Sequence, residues 1–156
     1  MAWVYKGLTA GQLDRREESV GAYDEVIARF GASDDPSIQE QVAKASVNKG
    51  AALGQLGRRD EAFLAFDDTI ARFGASDRSS LQEQVAMAFI NKGVTFGELG
   101  RHEEALRTFD EVIARFGSML NSAALVRSQR SAAFTSSAWA GKVASPLSRY
   151  STEATT

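Results

Sequence analysis

Cysteine is absent from this chain of 156 residues, histidine occurs once and proline twice. The first absence removes disulfides, thiolate nucleophiles and cysteine-based zinc sites together, and it points away from the oxidised, secreted class. A lone histidine leaves little room for acid–base or metal chemistry. No apolar run reaches the length of a bilayer span, and the opening residues Met1-Ala2-Trp3-Val4-Tyr5-Lys6-Gly7 hold no signal-peptide core. The expectation is therefore a cytoplasmic chain with no membrane partner. Strong charge of one sign is missing too, the formal net charge being -2. It is unevenly spread, with 14 Lys+Arg against 19 Asp+Glu in 1–117 and 4 against 1 in 118–156. Arg127, Arg130, Lys142 and Arg149 are nevertheless too sparse for the dense basic face that phosphate backbones require, which excludes nucleic acid as an expected partner. What remains, 44% hydrophobic and 24% charged, is an ordinary globular composition. A domain of this length buries roughly 70% of its unfolded surface, without a metal or disulfide staple.

What the chain does contain is repetition. Lys6-Gly7, Lys49-Gly50 and Lys92-Gly93 recur at an interval of 43 residues, and so do Arg29-Phe30-Gly31, Arg72-Phe73-Gly74 and Arg115-Phe116-Gly117. Laying 38–74 on 81–117 without a gap gives 22 identities in 37 positions, far beyond chance.

Within a unit, start and stop signals alternate. Asp35 before Pro36 reads as an N-cap followed by proline at the first helical position, and Ser79 with Gln82 reads as a capping box at the same place in the next copy. This first helix should run to Leu56 or Leu99. Gly57 and Gly100 then fall where a left-handed residue ends a helix, and Asp60-Glu61 and Glu103-Glu104 suit the positive start of a second one. In that second helix Ala62, Phe66, Ile70 and Phe73 form one apolar stripe, and Gly74 closes it. No sustained period-2 alternation predicts a strand. The unit is a helical hairpin that cannot bury its apolar face alone, so hairpins must stack.

These landmarks resemble the tetratricopeptide repeat family. The family's glycine near the middle of the first helix matches Gly7, Gly50 and Gly93, and its large residue three positions on matches Leu53 and Phe96, with Ala10 in the first copy. Its second-helix alanine matches Ala62 and Ala105, with Ser19 in the first copy; its aromatic matches Tyr23, Phe66 and Phe109; and Trp3 sits where the family often has Trp. The family's repeat is shorter, about 34 residues, so the 43-residue period implies longer helices or longer turns at 31–35 and 74–78. The resemblance implies an all-α fold, a right-handed superhelical stack of antiparallel helical hairpins. Three hairpins are expected over 1–117: a truncated first copy at 1–31, a second at 32–74 and a third at 75–117. Residues 118–145, with Leu125, Val126, Phe134, Trp139 and Val143, are expected to supply a C-terminal capping helix, and 146–156 an extended tail.

The resemblance also implies that the first helix of each unit lines a concave groove. Carried over by position, the groove residues are Lys44, Val47, Asn48, Ala51 and Gln55 from the second copy and Met87, Asn91, Val94 and Glu98 from the third, with Gly54 and Gly97 between them. Such a surface suits an extended or helical peptide, whose backbone asparagine amides can hydrogen-bond. The bland alternative is that Asn48 and Asn91 bond neighbouring helices instead. Family members that grip a peptide's terminal carboxylate use Lys and Asn, then Asn, then Lys and Arg; here those positions hold Val4, Leu8, Asn48, Met87 and Asn91, so that mode is rejected.

Other signals are weaker. Lys6, Lys49 and Lys92 are expected to lay their stems on apolar neighbours with the ammonium in water, and Glu25–Arg29, Asp68–Arg72 and Glu111–Arg115 to decorate a solvated face. His102 takes a turn position held by Arg16 and Arg59 elsewhere. No nucleophile with its base, metal cluster or phosphate-cradling glycine loop is present, so neither catalysis, metal nor cofactor is expected. The expected function is a non-enzymatic scaffold for a peptide or partner protein. The alternative is a self-assembling protein, possible as a homodimer, in which the truncated first hairpin or the C-terminal helix docks on a second copy.

Overall fold

The helix boundaries follow from a few side chains and glycines set at fixed places along the chain. In the computed structural model, which describes residues 15–120, five helices succeed one another: α1 (Arg16–Phe30), α2 (Pro36–Gln55), α3 (Arg59–Phe73), α4 (Ser79–Glu98) and α5 (His102–Leu120). No strand occurs among these residues. α1 and α3 have 15 residues each, α2 and α4 have 20. The first helix of the first copy, with Lys6 and Gly7, and the cap and tail expected beyond residue 120 lie outside the described residues.

At the start of α2 the carboxylate of Asp35 accepts from the N–H of Ser37 at 2.8 Å and of Ile38 at 3.3 Å, and from the Ser37 hydroxyl at 2.6 Å, with Pro36 at the first helical position. The start of α4 differs from the capping box expected at Ser79 and Gln82. Arg78 is the N-cap and Ser79 is already helical, and no side chain caps the end. The residue that aligns with Asp35 has no acceptor to offer, and the serine comes one position too late. Gln82 turns back instead, its Nε2 donating to the carbonyls of Phe73, Gly74 and Ser76 at 3.3, 3.2 and 2.5 Å. Arg78 itself reaches the previous hairpin, bonding Gln39 Oε1 at 2.9 Å and the Pro36 carbonyl.

α2 and α4 both stop at a left-handed glycine, Gly57 at φ 77° and Gly100 at φ 74°. Arg58 N–H then donates to Leu53 O at 2.9 Å and Arg101 N–H to Phe96 O at 2.9 Å, so the last carbonyls are satisfied as the chain reverses. The second helices of the hairpins do not all end alike. α1 and α3 stop at Gly31 and Gly74, whereas α5 runs through Gly117 to Leu120, past the boundary expected at 117.

Helices adjacent in sequence pack against each other, and in addition α2 packs directly on α4, whereas no comparable contact joins α1 to α3 or α3 to α5. The 20-residue helices therefore form one layer, closely approached, and the shorter helices a second, splayed one. Close approach within a hairpin depends on Gly50 and Gly93. A Cβ on Gly50 would lie 2.8 Å from Phe66 Cδ1 and closer still to Cε1, and one on Gly93 would lie 2.9 Å from Phe109 Cε1. The glycine of the first helix is thus the seat of the aromatic of the second. Between hairpins, Val42, Ala43 and Phe73 join Leu81, Val85, Ala86, Phe89, Ile90, Val112 and Phe116 in one buried cluster. Full burial of each large apolar side chain is worth about 1.5–3 kcal/mol relative to exposure.

A polar clasp repeats alongside this core. Lys49 Nζ meets Asp24 Oδ1 at 2.5 Å, and Lys92 Nζ meets Asp67 Oδ1 at 2.5 Å. Arg72 donates to Gly31 O at 2.6 Å and Arg115 to Gly74 O at 3.3 Å, while Arg58 reaches Glu17 at 3.1 Å. The repeated lysines thus reach the preceding helix, not only water as expected from the sequence. The i,i+4 arginines, besides meeting Asp68 and Glu111, cap the carbonyl end of the hairpin before them.

Candidate functional site on the long helices

Because α2 is packed by α1, α3 and α4, its surface is largely used up. Lys44, Asn48, Ala51 and Gln55 stay accessible and form one strip, at spacings of a single helix face. The same places in α4 carry Met87, Asn91, Val94 and Glu98, of which the first three are half-buried and Glu98 is exposed. Since α2 and α4 lie side by side, the two strips adjoin.

The individual side chains divide by what they already touch. Val47 is given to the core, 3% exposed among Val20, Leu53, Ala62 and Phe66, so it supports the strip from behind. Gly54 lies against α4, where an added Cβ would stand 3.8 Å from Thr95 Oγ1, and Gly97 is buried. Lys44 donates to Glu40 Oε1 at 2.7 Å, and this bond holds the Glu40 carboxyl below the ordinary carboxylate range. Gln55 Oε1 accepts from Arg16 Nε at 2.8 Å. Met87 is half-buried and packs against the two largest apolar clusters at once.

Asn48 and Asn91 are different. Both are half-buried, they stand at the same position of successive units, and neither side-chain amide makes a hydrogen bond among the described residues. They are also not among the buried polar side-chain atoms left without a partner, of which the described residues hold one, Arg59 Nε. Their donors and acceptors therefore face solvent. The alternative in which they staple neighbouring helices does not describe them. The strip can thus offer two amides, each able to donate and accept, with the apolar side chains of Ala51, Val94 and Met87 around them.

Sequence reading missed the clasp residues Arg58, Arg72, Arg115 and Lys92 as inter-hairpin contacts. The signal was present: Asp24 and Asp67 recur at the same interval as the lysines they meet. Among the described residues no group of three His, Asp or Glu stands together as a metal site, and no helix is long and apolar enough to cross a membrane.

The architecture so far defines a class, stacked helical hairpins with a glycine-seated aromatic in each. Residues 87–118 match the family model of the tetratricopeptide repeat, a span that begins inside α4 and ends inside α5. Ser79–Ala86, the start of α4, precede it, so the matched unit is shorter than the hairpin. No curated protein and no solved structure matches the chain.

Proposed function

We propose that the chain is a non-enzymatic protein–protein interaction scaffold whose long-helix strip binds a peptide or a segment of a partner protein. The tetratricopeptide repeat is a protein-interaction module, and its match over residues 87–118 supports the coarse reading. The single observation that carries the finer one is the pair of unengaged, half-buried amides at Asn48 and Asn91. A peptide backbone laid along the strip would use both, while Met87 and Val94 receive apolar side chains. A cytoplasmic location and independence from metal or cofactor belong to the same reading.

The test is selection of a displayed random-peptide library on the full chain, followed by titration of a selected peptide against wild type and Asn48→Ala plus Asn91→Ala. Two lost hydrogen bonds at about 1 kcal/mol each weaken binding by roughly tenfold or more. The doubly substituted chain should keep its helicity and Tm, because neither amide holds the stack together. Selected peptides that bind it as tightly as wild type would refute the assignment of this strip.

A further inference from the structure

Arg59 opens α3, and among the described residues its Nε is the one buried polar side-chain atom with no hydrogen-bond partner. Such a donor is an exception in folded chains and destabilises until an acceptor is supplied. The equivalent residue of the preceding hairpin is satisfied. Arg16, the first residue of α1, donates its Nε to Gln55 Oε1, on the last residue of α2, at 2.8 Å. One 43-residue interval further on, the same register pairs Arg59 with Glu98, the last residue of α4. That bond is not made. Glu98 is exposed and forms no ion pair among the described residues. The Arg59 guanidinium folds back toward the turn that closes α2, where a Cβ on Gly57 would stand 3.9 Å from Nη1. Nη1 and Nη2 make no hydrogen bond either, but unlike Nε they are not buried, so the charged end of the side chain is open to solvent.

Its place in the fold gives this cation a use. Gly57 lies two residues past Gln55, and Glu98 is the matching end of α4, so Arg59 stands at the end of the strip that Asn48 and Asn91 occupy. The other cations along the strip are engaged, Lys44 by Glu40 and Arg16 by Gln55. Arg59 is the guanidinium left over, and the fork of a guanidinium matches the two oxygens of a carboxylate. Taking the strip as a peptide site, we infer that Arg59 selects peptides with an aspartate or glutamate side chain at the end that lies over Gln55 and Glu98. On binding, the guanidinium lifts from the Gly57 turn and gives Nε and Nη2 to that carboxylate, so the orphaned donor finds its acceptor in the ligand. Glu98, the acceptor that the repeat register offers, is the competitor.

Peptides selected from the displayed random library on the full chain should share an Asp or Glu at one position. One of them is synthesised with an amidated C-terminus, so that only a side chain supplies the carboxylate, and again with that residue replaced by Gln. On the wild-type chain the Gln peptide should bind about tenfold more weakly than the acidic one. This comparison leaves the protein untouched, so a folding defect cannot imitate it. Arg59→Gln should weaken the acidic peptide by about the same factor and leave the Gln peptide unaffected, since the two changes remove one contact. Glu98→Gln, which removes the competitor, should tighten the acidic peptide roughly twofold. Peptides that depend on Asn48 and Asn91 but share no acid overturn this inference and leave the peptide strip standing. So does an acidic residue whose replacement costs as much on Arg59→Gln as on wild type. A library that yields no binder overturns both.

Discussion

Phe66 in α3 is 0% exposed, and Leu53 beside it in α2 is 1% exposed. Their counterparts in the next hairpin, Phe109 and Phe96, are only partly buried around Ala105. The alanines between them, Ala62 and Ala105, are both fully buried. The internal joint of each hairpin is therefore the same, and the difference lies in what covers it. α4 lays Ala88 and Met87 on the second hairpin, and no described helix does the same for the third. A repeat's core is thus completed by its successor, which is why identical landmark residues sit in environments of different depth.

Substitutions at matched positions should read this difference directly. Phe66→Ala should cost about 4 kcal/mol, since it empties a closed core, and Phe109→Ala about 2 kcal/mol, since that ring is only partly buried. Denaturant unfolding of both variants checks it, and equal losses would mean that the third hairpin is covered as completely as the second.

The glycines sharpen the same contrast. Gly50→Ala forces a methyl into the ring of Phe66, which has no free space to move into, and should destabilise by about 1–2 kcal/mol despite the better helix propensity of alanine. Gly93→Ala meets Phe109 at 2.9 Å, a longer approach to a ring that is only partly buried, and should cost less than Gly50→Ala. Thermal unfolding of the pair decides it. A larger loss at Gly93 would contradict the order of burial.

The smallest effect concerns the two helix starts. The Ser37 hydroxyl, with the N–H groups of Ser37 and Ile38, holds the Asp35 carboxyl below the ordinary carboxylate range. A carboxyl whose folded-state pKa is lowered adds stability above the unfolded-state value and loses it as pH falls through the folded-state one. Asp35→Ala should therefore lower Tm by roughly 4 °C at neutral pH, with the difference from wild type shrinking as pH drops from about 5 toward 2. Ser79→Ala should leave Tm nearly unchanged at every pH, because α4 has no side-chain cap to lose. A Tm loss at Ser79 as large as that at Asp35 would restore the capping box there.

Much of the fold is legible in the residues. Pro36 after Asp35 marks one helix start, and Gly57 and Gly100 mark stops because a reversal through positive φ favours a residue without Cβ. The exact start of α4 was not legible, because serine at 79 and acceptor-free arginine at 78 give competing signals that only the chain's path resolves. The candidate strip was legible in part. Helical spacing gathers Lys44, Asn48, Ala51 and Gln55 on one face, but the same spacing cannot tell that Val47 turns inward, that Gln55 is taken by Arg16, or that Asn48 and Asn91 remain unengaged.

By itself the sequence determined the hairpin: the start of α2 at Asp35-Pro36, the stops at Gly57 and Gly100, and that copies of one unit must stack. These are local matters, settled by φ, capping and a period of 3.6 within a few turns of chain. The tertiary structure alone decided which neighbours close each core, which cations reach across from one hairpin to the next, and which polar groups are left over for a partner. Those depend on how residues some 40 positions apart meet in space, and no local pattern records which of them will be spent on the stack and which remain.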